Sequence, residues 1–161
     1  MVISNLNTKM IRDRLGFINE SVQNLKRLAS LGEGGFLKND LPAAAESYLR
    51  RSLEAMFDIG RHIIAKMAGK GVVEYRDIAS TLYDLRILRK GTATKMRLMA
   101  GYRNRMVHYY HEITAKELYS IIRKNLKDIE DFIKDINRFI SEYEKEKPAR
   151  PSSLTPRKSF R

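Results

Sequence analysis

The feature that most constrains the fold of this chain is the spacing of its apolar residues, which recur every three or four positions over most of the 161 residues. This spacing gathers them on one face of an α-helix, whereas a half-buried strand would alternate apolar and polar residues. The first such stripe contains Ile11, Leu15, Ile18, Val22, Leu25 and Leu28. The sequence therefore predicts an all-α protein whose core is built from helix faces.

Glycine-containing segments divide this pattern into separate helices. Residues 32–35 and 69–71 and the single residue Gly91 are predicted to be turns, because glycine interrupts helices. Asp40, followed by Pro42 in the first turn, is typical of a helix start. These signals predict an antiparallel bundle of four or five helices.

The second half of the chain carries further boundary signals. A helix is predicted from Tyr75 to Leu88, and Thr92 can cap the next one. Thr114 and Glu117 form a capping box, in which each side chain accepts a hydrogen bond from the backbone amide of the other residue. One long helix is predicted to run from there to Tyr143.

The charge balance indicates an acidic partner. The chain has 31 lysines and arginines and 19 acidic residues, and its formal net charge is +12. Such an excess favours association with an acidic polymer, first of all a nucleic acid. Residues 147–161 are basic and rich in proline and serine, so we expect a disordered tail there and a helical domain over residues 1–146.

Several classes of protein are disfavoured by composition. The chain contains no cysteine, which excludes disulfides and thiolate metal sites. No signal peptide is evident, and no apolar stretch approaches the roughly 20 residues of a membrane span. We therefore expect a cytoplasmic protein with no membrane association.

The densest group of chemically active side chains is the octet Arg103-Asn104-Arg105-Met106-Val107-His108-Tyr109-Tyr110. It lies within residues 85–111, a stretch with seven basic residues and no acidic one. An imidazole that can carry protons near neutral pH is thus placed in a strongly positive region, which indicates a phosphate-bearing partner. The candidate RNA-binding residues here are Arg86, Arg89, Lys95, Arg97 and Tyr109, the last through stacking on a base.

Arg103 occupies a position that needs an explanation, because it falls on the same helix seam as Met96, Met99 and Met106. A guanidinium there is costly to bury unless it is paired, or faces water or an anion. Arg103 therefore either reaches an acid on another helix or lines a cleft.

One candidate acid is Asp58, which could pair with Arg103 or with His62 one turn farther along its own helix. Glu54, Asp58 and His62 share a helix face, but the additional Glu-x-x-His ligands of a metal site in a bundle are absent. We predict neither a metal nor a cofactor.

His108 follows Arg103 by five residues, or about 140° around a continuous helix. Either the helix loosens after Met106, or two copies of the motif share a cleft in a dimer. Asn104 and Arg105 lie one turn before His108 and could orient its ring or lower its pKa. A purely structural histidine, whose cation complements a helix C-terminus, is the alternative interpretation.

An imidazole and a guanidinium are sufficient for one particular reaction. RNA carries its own nucleophile, the 2′-hydroxyl group. A protein must take up its proton, stabilise the charge that develops on the phosphate and assist departure of the 5′-oxygen. No metal ion is required for these steps.

The octet resembles a known family signature. Arg103, His108 and Tyr110 match the Arg-x4-His-x-Tyr motif of the HEPN superfamily, and more narrowly of its HepT-type toxins. Residues 53–64 are similar to the acidic helix of that family, and the resemblance covers roughly residues 5–143. It implies a helical bundle that dimerises and cleaves RNA without metal, with Arg103 and His108 as the active pair.

The resemblance also implies a partner, a minimal nucleotidyltransferase antitoxin that silences the toxin by adenylylating the motif tyrosine, here Tyr110. The predicted function is therefore a homodimeric, metal-independent endoribonuclease toxin of a type VII-like toxin–antitoxin pair, with Asn104, Arg105 and Asp58 in supporting roles. The alternative is a non-catalytic nucleotide- or RNA-binding module, or a scaffold for the nucleotidyltransferase.

Overall fold

The computed structural model describes residues 5–69, 71, 74–108 and 113–146. Those residues form seven helices and no strand, which confirms the all-α class. The helices are α1 (Thr8–Ala29), α2 (Gly32–Phe36), α3 (Leu41–Ala68), α4 (Tyr75–Asp84), α5 (Lys90–Val107), α6 (Ala115–Lys124) and α7 (Leu126–Glu146). The predicted tail, residues 147–161, lies outside the described residues.

The core forms around α3, which contacts α1, α4, α5 and α6. The predicted stripe on α1 is buried throughout, and its largest exposed fraction is 4%, at Leu15. Phe36, Phe57 and Phe132 are the largest fully buried side chains. Burial of apolar faces from nearly every helix supplies the main driving force for this arrangement.

The structure contains more helices than the four or five expected, partly because residues 32–35 are not a turn. They belong to α2, a single helical turn that begins at Gly32 with φ +75°. The short helix delivers Phe36 to the core, where its ring centroid lies 5.5 Å from that of Tyr119 on α6. A tertiary contact therefore orders a segment that the glycine content alone marks as irregular.

The long helix predicted from Thr114 is interrupted at Asn125, which ends α6. Its side-chain amide lies 3.4 Å from the Asp128 carboxylate, and its carbonyl accepts from the Asp128 amide. Asparagine offers the backbone such local alternatives to helical pairing. The apolar spacing continues across the break, which is why the sequence pattern does not reveal it.

Helix α4 is shorter than predicted, because it ends at Asp84 rather than Leu88. Arg86 adopts the left-handed conformation at φ +60°, and its amide donates to the carbonyl of Tyr83 while that of Ile87 donates to Leu82. This pair of bonds is a Schellman motif. It places Ile87 in the core at 1% exposure, and that burial offsets the backbone strain at Arg86.

Helix α5 begins at Lys90, so Thr92 is not its cap as predicted; Arg89 occupies that position. The Asp135 carboxylate of α7 accepts from the Arg89 amide at 3.0 Å and from its Nε at 2.7 Å. Asp135 is 1% exposed. A buried carboxylate from a distant helix thus fixes the start of α5 and complements its dipole.

Among the described residues, no helix combines the length and apolar character that crossing a bilayer would require.

Gly60 of α3 packs directly against side chains of α4. A Cβ atom at this position would lie 2.5 Å from Cγ2 of Ile78 and 3.2 Å from Cδ1 of Leu82. We expect Gly60→Ala to lower the free energy of unfolding by about 1–3 kcal/mol, because overpacking outweighs the gain in helix propensity. Urea unfolding measures this value.

Gly16→Ala is the matched control, since Gly16 is also helical and has no atom within 4 Å of a Cβ. It should raise stability by up to about 1 kcal/mol. Equal effects at the two positions would contradict close packing at Gly60.

Candidate active site

The octet begins on the last turn of α5, and its residues 103–108 are described. The helix ends at Val107, and His108 has extended backbone, with φ −99° and ψ 115°. The backbone thus leaves the helical path one residue later than the loosening after Met106 that the sequence suggested, and a cleft shared by two copies stays a prediction. Tyr109 and Tyr110, predicted to contact RNA and to be modified, lie outside the described residues.

His108 is exposed, and its backbone amide donates to the carbonyl of Asn104 at 3.1 Å. This bond fixes the backbone at the helix end and leaves the imidazole accessible to solvent. An imidazole that a substrate can reach meets the first requirement for a general acid or base.

Arg103 reaches an acid on another helix, which is one of the two outcomes predicted for it. Its Nε donates to Oε1 of Glu54 on α3 at 2.8 Å. The Arg103 side chain is 17% exposed, so the pair is largely shielded but still open to a ligand at its edge. Glu54 thereby compensates a charge that α5 could not otherwise bury.

An aromatic ring also contacts the Arg103 guanidinium. The Cζ atom of Arg103 lies 4.1 Å from the ring centroid of Tyr75, the first residue of α4. The Cζ atom of Arg61 lies 4.5 Å from the same centroid. Phe57 packs edge-on against this ring, with the two centroids 5.0 Å apart. Tyr75 is thus fixed from several directions and restricts where the Arg103 guanidinium can point.

Asn104 contacts Arg103 through its side chain. Its Oδ1 accepts a hydrogen bond from Nη1 of Arg103 at 3.3 Å, while its backbone carbonyl accepts one from the His108 amide. The side chain of Asn104 thus contacts Arg103, and only its backbone contacts His108. Among the described residues, none accepts a hydrogen bond from Nη2 of Arg103, which keeps a donor for a ligand.

Arg105 forms an ion pair with a different acid, Glu117 of α6. Its Nη1 and Nη2 donate to the two carboxylate oxygens of Glu117 at 2.6 and 2.9 Å. The hydrogen bond from Arg105 lowers the pKa of Glu117. Thr114 does cap the Glu117 amide at 3.1 Å, as predicted, but the Glu117 side chain ties α6 to α5 instead of completing the capping box.

Asp58 is not the carboxylate that pairs with Arg103, because that place is taken by Glu54 one turn earlier. Asp58 instead lies 3.9 Å from Nη2 of Arg14 on α1. The ring of His62 accepts from the Asn7 amide at 3.0 Å through Nε2. Within the described residues, no group of three or more histidines and acids could hold a metal ion.

The four predicted RNA-binding cations of the described region are spread along α5 and the segment before it. Arg86 and Arg89 lie at the opposite end of α5, with Arg89 about 20 Å from Arg103 along the axis. Arg89 is also paired with Asp135. Lys95 borders an apolar pocket that includes Leu98 and Tyr102, and Arg97 is exposed.

Sequence reasoning missed two contributors, Tyr75 and Arg61, and the role of Glu54. Glu54 stands out as an acid between buried residues of α3, which is a signal for a tertiary ion pair. Tyr75 follows a loop, and nothing in its spacing places it near residue 103. Only the packing of α3, α4 and α5 brings these side chains together.

Comparison with known proteins adds a family assignment. A family model described as Ribonuclease HepT-like matches residues 18–136. The tRNA nuclease HepT of Aphanizomenon flos-aquae is 25% identical over 146 residues, which cover 89% of this chain and 99% of that protein. The mRNA nuclease HepT of Shewanella oneidensis is 25% identical over 126 residues, which cover 77% and 93%.

A solved structure has the same fold. The tri-AMPylated HEPN toxin of Shewanella oneidensis, in complex with an MNT antitoxin, superposes with a TM-score of 0.73 at 22% identity. The match covers 80% of this chain and 97% of the toxin.

The environment of His62 predicts a pH effect on stability. Burial lowers the pKa of His62 below its ordinary value of 6.5, and Lys66 and Arg14 lower it further. The unfolded chain therefore takes up this proton more readily than the folded chain, so stability is retained above pH 6.5 and declines as the pH falls through the lowered pKa.

We expect His62→Gln, whose amide oxygen can still accept from Asn7, to reduce this decline. Urea unfolding at pH 7.5 and 5.5 measures it in both proteins. The interpretation fails if the wild-type protein and the variant lose the same stability between these pH values.

Proposed function

This chain belongs to the family of HepT-like ribonucleases, and we propose that it is an endoribonuclease. In this proposal, Arg103 and His108 carry out the cleavage of RNA, and no metal ion takes part. Membership confirms the resemblance inferred from the octet. The observation that carries the proposal is the arrangement of Arg103, held by Glu54 at 2.8 Å and by Tyr75, one helix turn before an exposed His108.

The proposed reaction uses the nucleophile within the RNA. His108, in its neutral form, accepts the proton of the 2′-hydroxyl, and the 2′-oxygen attacks the adjacent phosphorus. The bond from phosphorus to the 5′-oxygen breaks, and that oxygen takes up a proton. The products are a 2′,3′-cyclic phosphate and a 5′-hydroxyl, and the reaction neither gains nor loses a proton overall.

Arg103 would stabilise the charge on the phosphate oxygens. Nη2 is available for this, while Nε is held by Glu54 and Nη1 donates to Asn104. A donor fixed in advance need not reorganise when charge develops, and this accounts for much of electrostatic catalysis. Asn104 supports both groups, since it bonds to Arg103 and to the His108 amide.

We propose that the protein is the toxin of a toxin–antitoxin pair and that a minimal nucleotidyltransferase silences it by adenylylating Tyr110. The fold shared with an AMPylated HEPN toxin bound to an MNT antitoxin supports this proposal. An adenylyl group two residues from His108 would occupy space near the imidazole and add a negative phosphate.

The proposed active form is a homodimer, as the family resemblance implies. In such a dimer, the motif of a second copy would share the cleft with that of the first. Leu98 and Val107 of α5 are 59% and 40% exposed, but their nine-residue separation places them on opposite faces of the helix, so they do not form one apolar patch.

Substitution of the active pair tests the proposal. We expect Arg103→Ala to reduce the rate of RNA cleavage by about 10²–10³-fold, as loss of a preorganised donor does. His108→Ala should reduce it by about 10²–10⁴-fold through loss of proton transfer. Labelled RNA incubated with excess chelator measures both rates, and circular dichroism verifies folding.

A single 2′-deoxy nucleotide at the cleavage site should abolish the reaction of the wild-type protein. Full cleavage by both folded variants would remove the assignment of Arg103 and His108. RNA binding without any cleavage by the wild-type protein would favour the non-catalytic module instead.

The antitoxin proposal has its own measurement. The protein is incubated with the neighbouring nucleotidyltransferase and ATP, and its intact mass is recorded. We expect a mass gain of one or more adenylyl units and a parallel loss of RNA cleavage. Tyr110→Phe should lose the modification that silences the enzyme, whereas Tyr109→Phe, the matched control, should retain it. Silencing of the Tyr110→Phe variant would contradict the assignment.

A further inference from the structure

We infer that Arg61 is a second phosphate-binding side chain, which forms with Arg103 a two-arginine site for the RNA backbone beside the scissile bond. The inference depends on the proposed ribonuclease function, and it extends the site by a residue on α3. Arg61 lies outside the octet and its basic stretch, and its role follows from the contacts around Tyr75.

The first observation is that two guanidinium groups share one aromatic ring. The Cζ atoms of Arg103 and Arg61 lie 4.1 and 4.5 Å from the centroid of Tyr75. The two cations can therefore be no farther apart than the sum of those distances. Phe57 packs against the same ring and is itself fully buried, so this ring is a fixed platform.

The second observation is the balance of charge at this platform. Glu54 compensates Arg103 at 2.8 Å. None of the described acidic residues lies within ion-pair distance of Arg61, although the Arg61 side chain is partly buried. Two cations and one carboxylate leave the platform with one excess positive charge in a partly shielded place, where Coulomb interactions are stronger than in bulk water.

The chemistry of these groups selects the ligand. A guanidinium is planar, remains charged and presents paired donors that match the oxygens of a phosphate. Among the described residues, none accepts a hydrogen bond from Nη2 of Arg103 or from the guanidinium of Arg61, so both side chains keep donors for a ligand. A phosphodiester backbone supplies an anion at every nucleotide, so one strand can serve Arg103 and Arg61 with the same or adjacent phosphates.

A purely structural role for Arg61, which would only pack α3 against α4, makes a different prediction. It would affect stability but not the salt dependence of RNA binding. The salt dependence counts phosphate contacts, because each contact releases counterions, and it therefore separates the two roles.

Arg51 provides a matched control on the same helix. Its Cζ atom lies 4.8 Å from the ring centroid of Phe17, so it is also an arginine of α3 stacked on an aromatic ring. Its ring partner belongs to α1, and Arg51 takes no part in the contacts around Tyr75. An effect common to both arginines would reflect general charge or packing rather than the platform.

The experiment measures binding of a single-stranded RNA with a 2′-deoxy nucleotide at the cleavage site, over 50–300 mM salt. We expect Arg61→Gln to weaken binding about tenfold or more at low salt. It should also reduce the slope of log affinity against log salt by about 0.7, the value for one phosphate on a single strand. Arg61→Lys should retain the slope but bind more weakly, and Arg51→Gln should resemble the wild-type protein.

Cleavage kinetics distinguish this inference from the proposed function. Arg61→Gln should raise KM for RNA more than it lowers kcat, whereas His108→Ala should lower kcat. An unchanged slope in a folded Arg61→Gln variant, or an equal effect of Arg51→Gln, overturns the inference while cleavage by the wild-type protein sustains the function. Absence of RNA binding by the wild-type protein overturns both.

Discussion

The ion pair between Arg103 and Glu54 is the constraint on which the site depends. A guanidinium on the inner side of α5 can persist only if a carboxylate and a suitable surface are supplied by other helices. Glu54 of α3 supplies the first at 2.8 Å, and Tyr75 of α4 supplies the second. The site therefore exists only when three helices are correctly packed, and the apolar core that packs them is part of the functional machinery.

Local signals in the sequence were sufficient for much of this fold. Apolar spacing identified the buried face of α1, Asp40 and Pro42 marked the start of α3, and Thr114 marked that of α6. These features depend on residues within one or two turns, so they can be read without knowledge of the fold. The octet likewise identified the family, because its residues are close together in the chain.

Features decided by distant residues could not be inferred in this way. Asp135 displaces the expected cap of α5, the burial of Phe36 orders α2, and Glu54 rather than Asp58 meets Arg103. In each case several local choices have similar energies, and a tertiary contact selects one of them. Arg89, a predicted RNA-binding residue, likewise pairs with Asp135 of α7, a contact that its position in the sequence does not indicate.

The two anchors of α5 have a mechanical consequence. The Asp135 carboxylate of α7 accepts a hydrogen bond from the Arg89 amide at the start of α5. Near the end of α5, both carboxylate oxygens of Glu117 on α6 accept hydrogen bonds from Arg105. A displacement of α5 along its own axis by one residue, about 1.5 Å, would stretch both attachments at once. Because α6 and α7 are joined at Asn125, a change in the angle between them would move the Glu117 and Asp135 carboxylates relative to each other and so disturb both attachments. The helix that carries Arg103 is thus fixed along its own axis at both ends, by one carboxylate from α6 and one from α7.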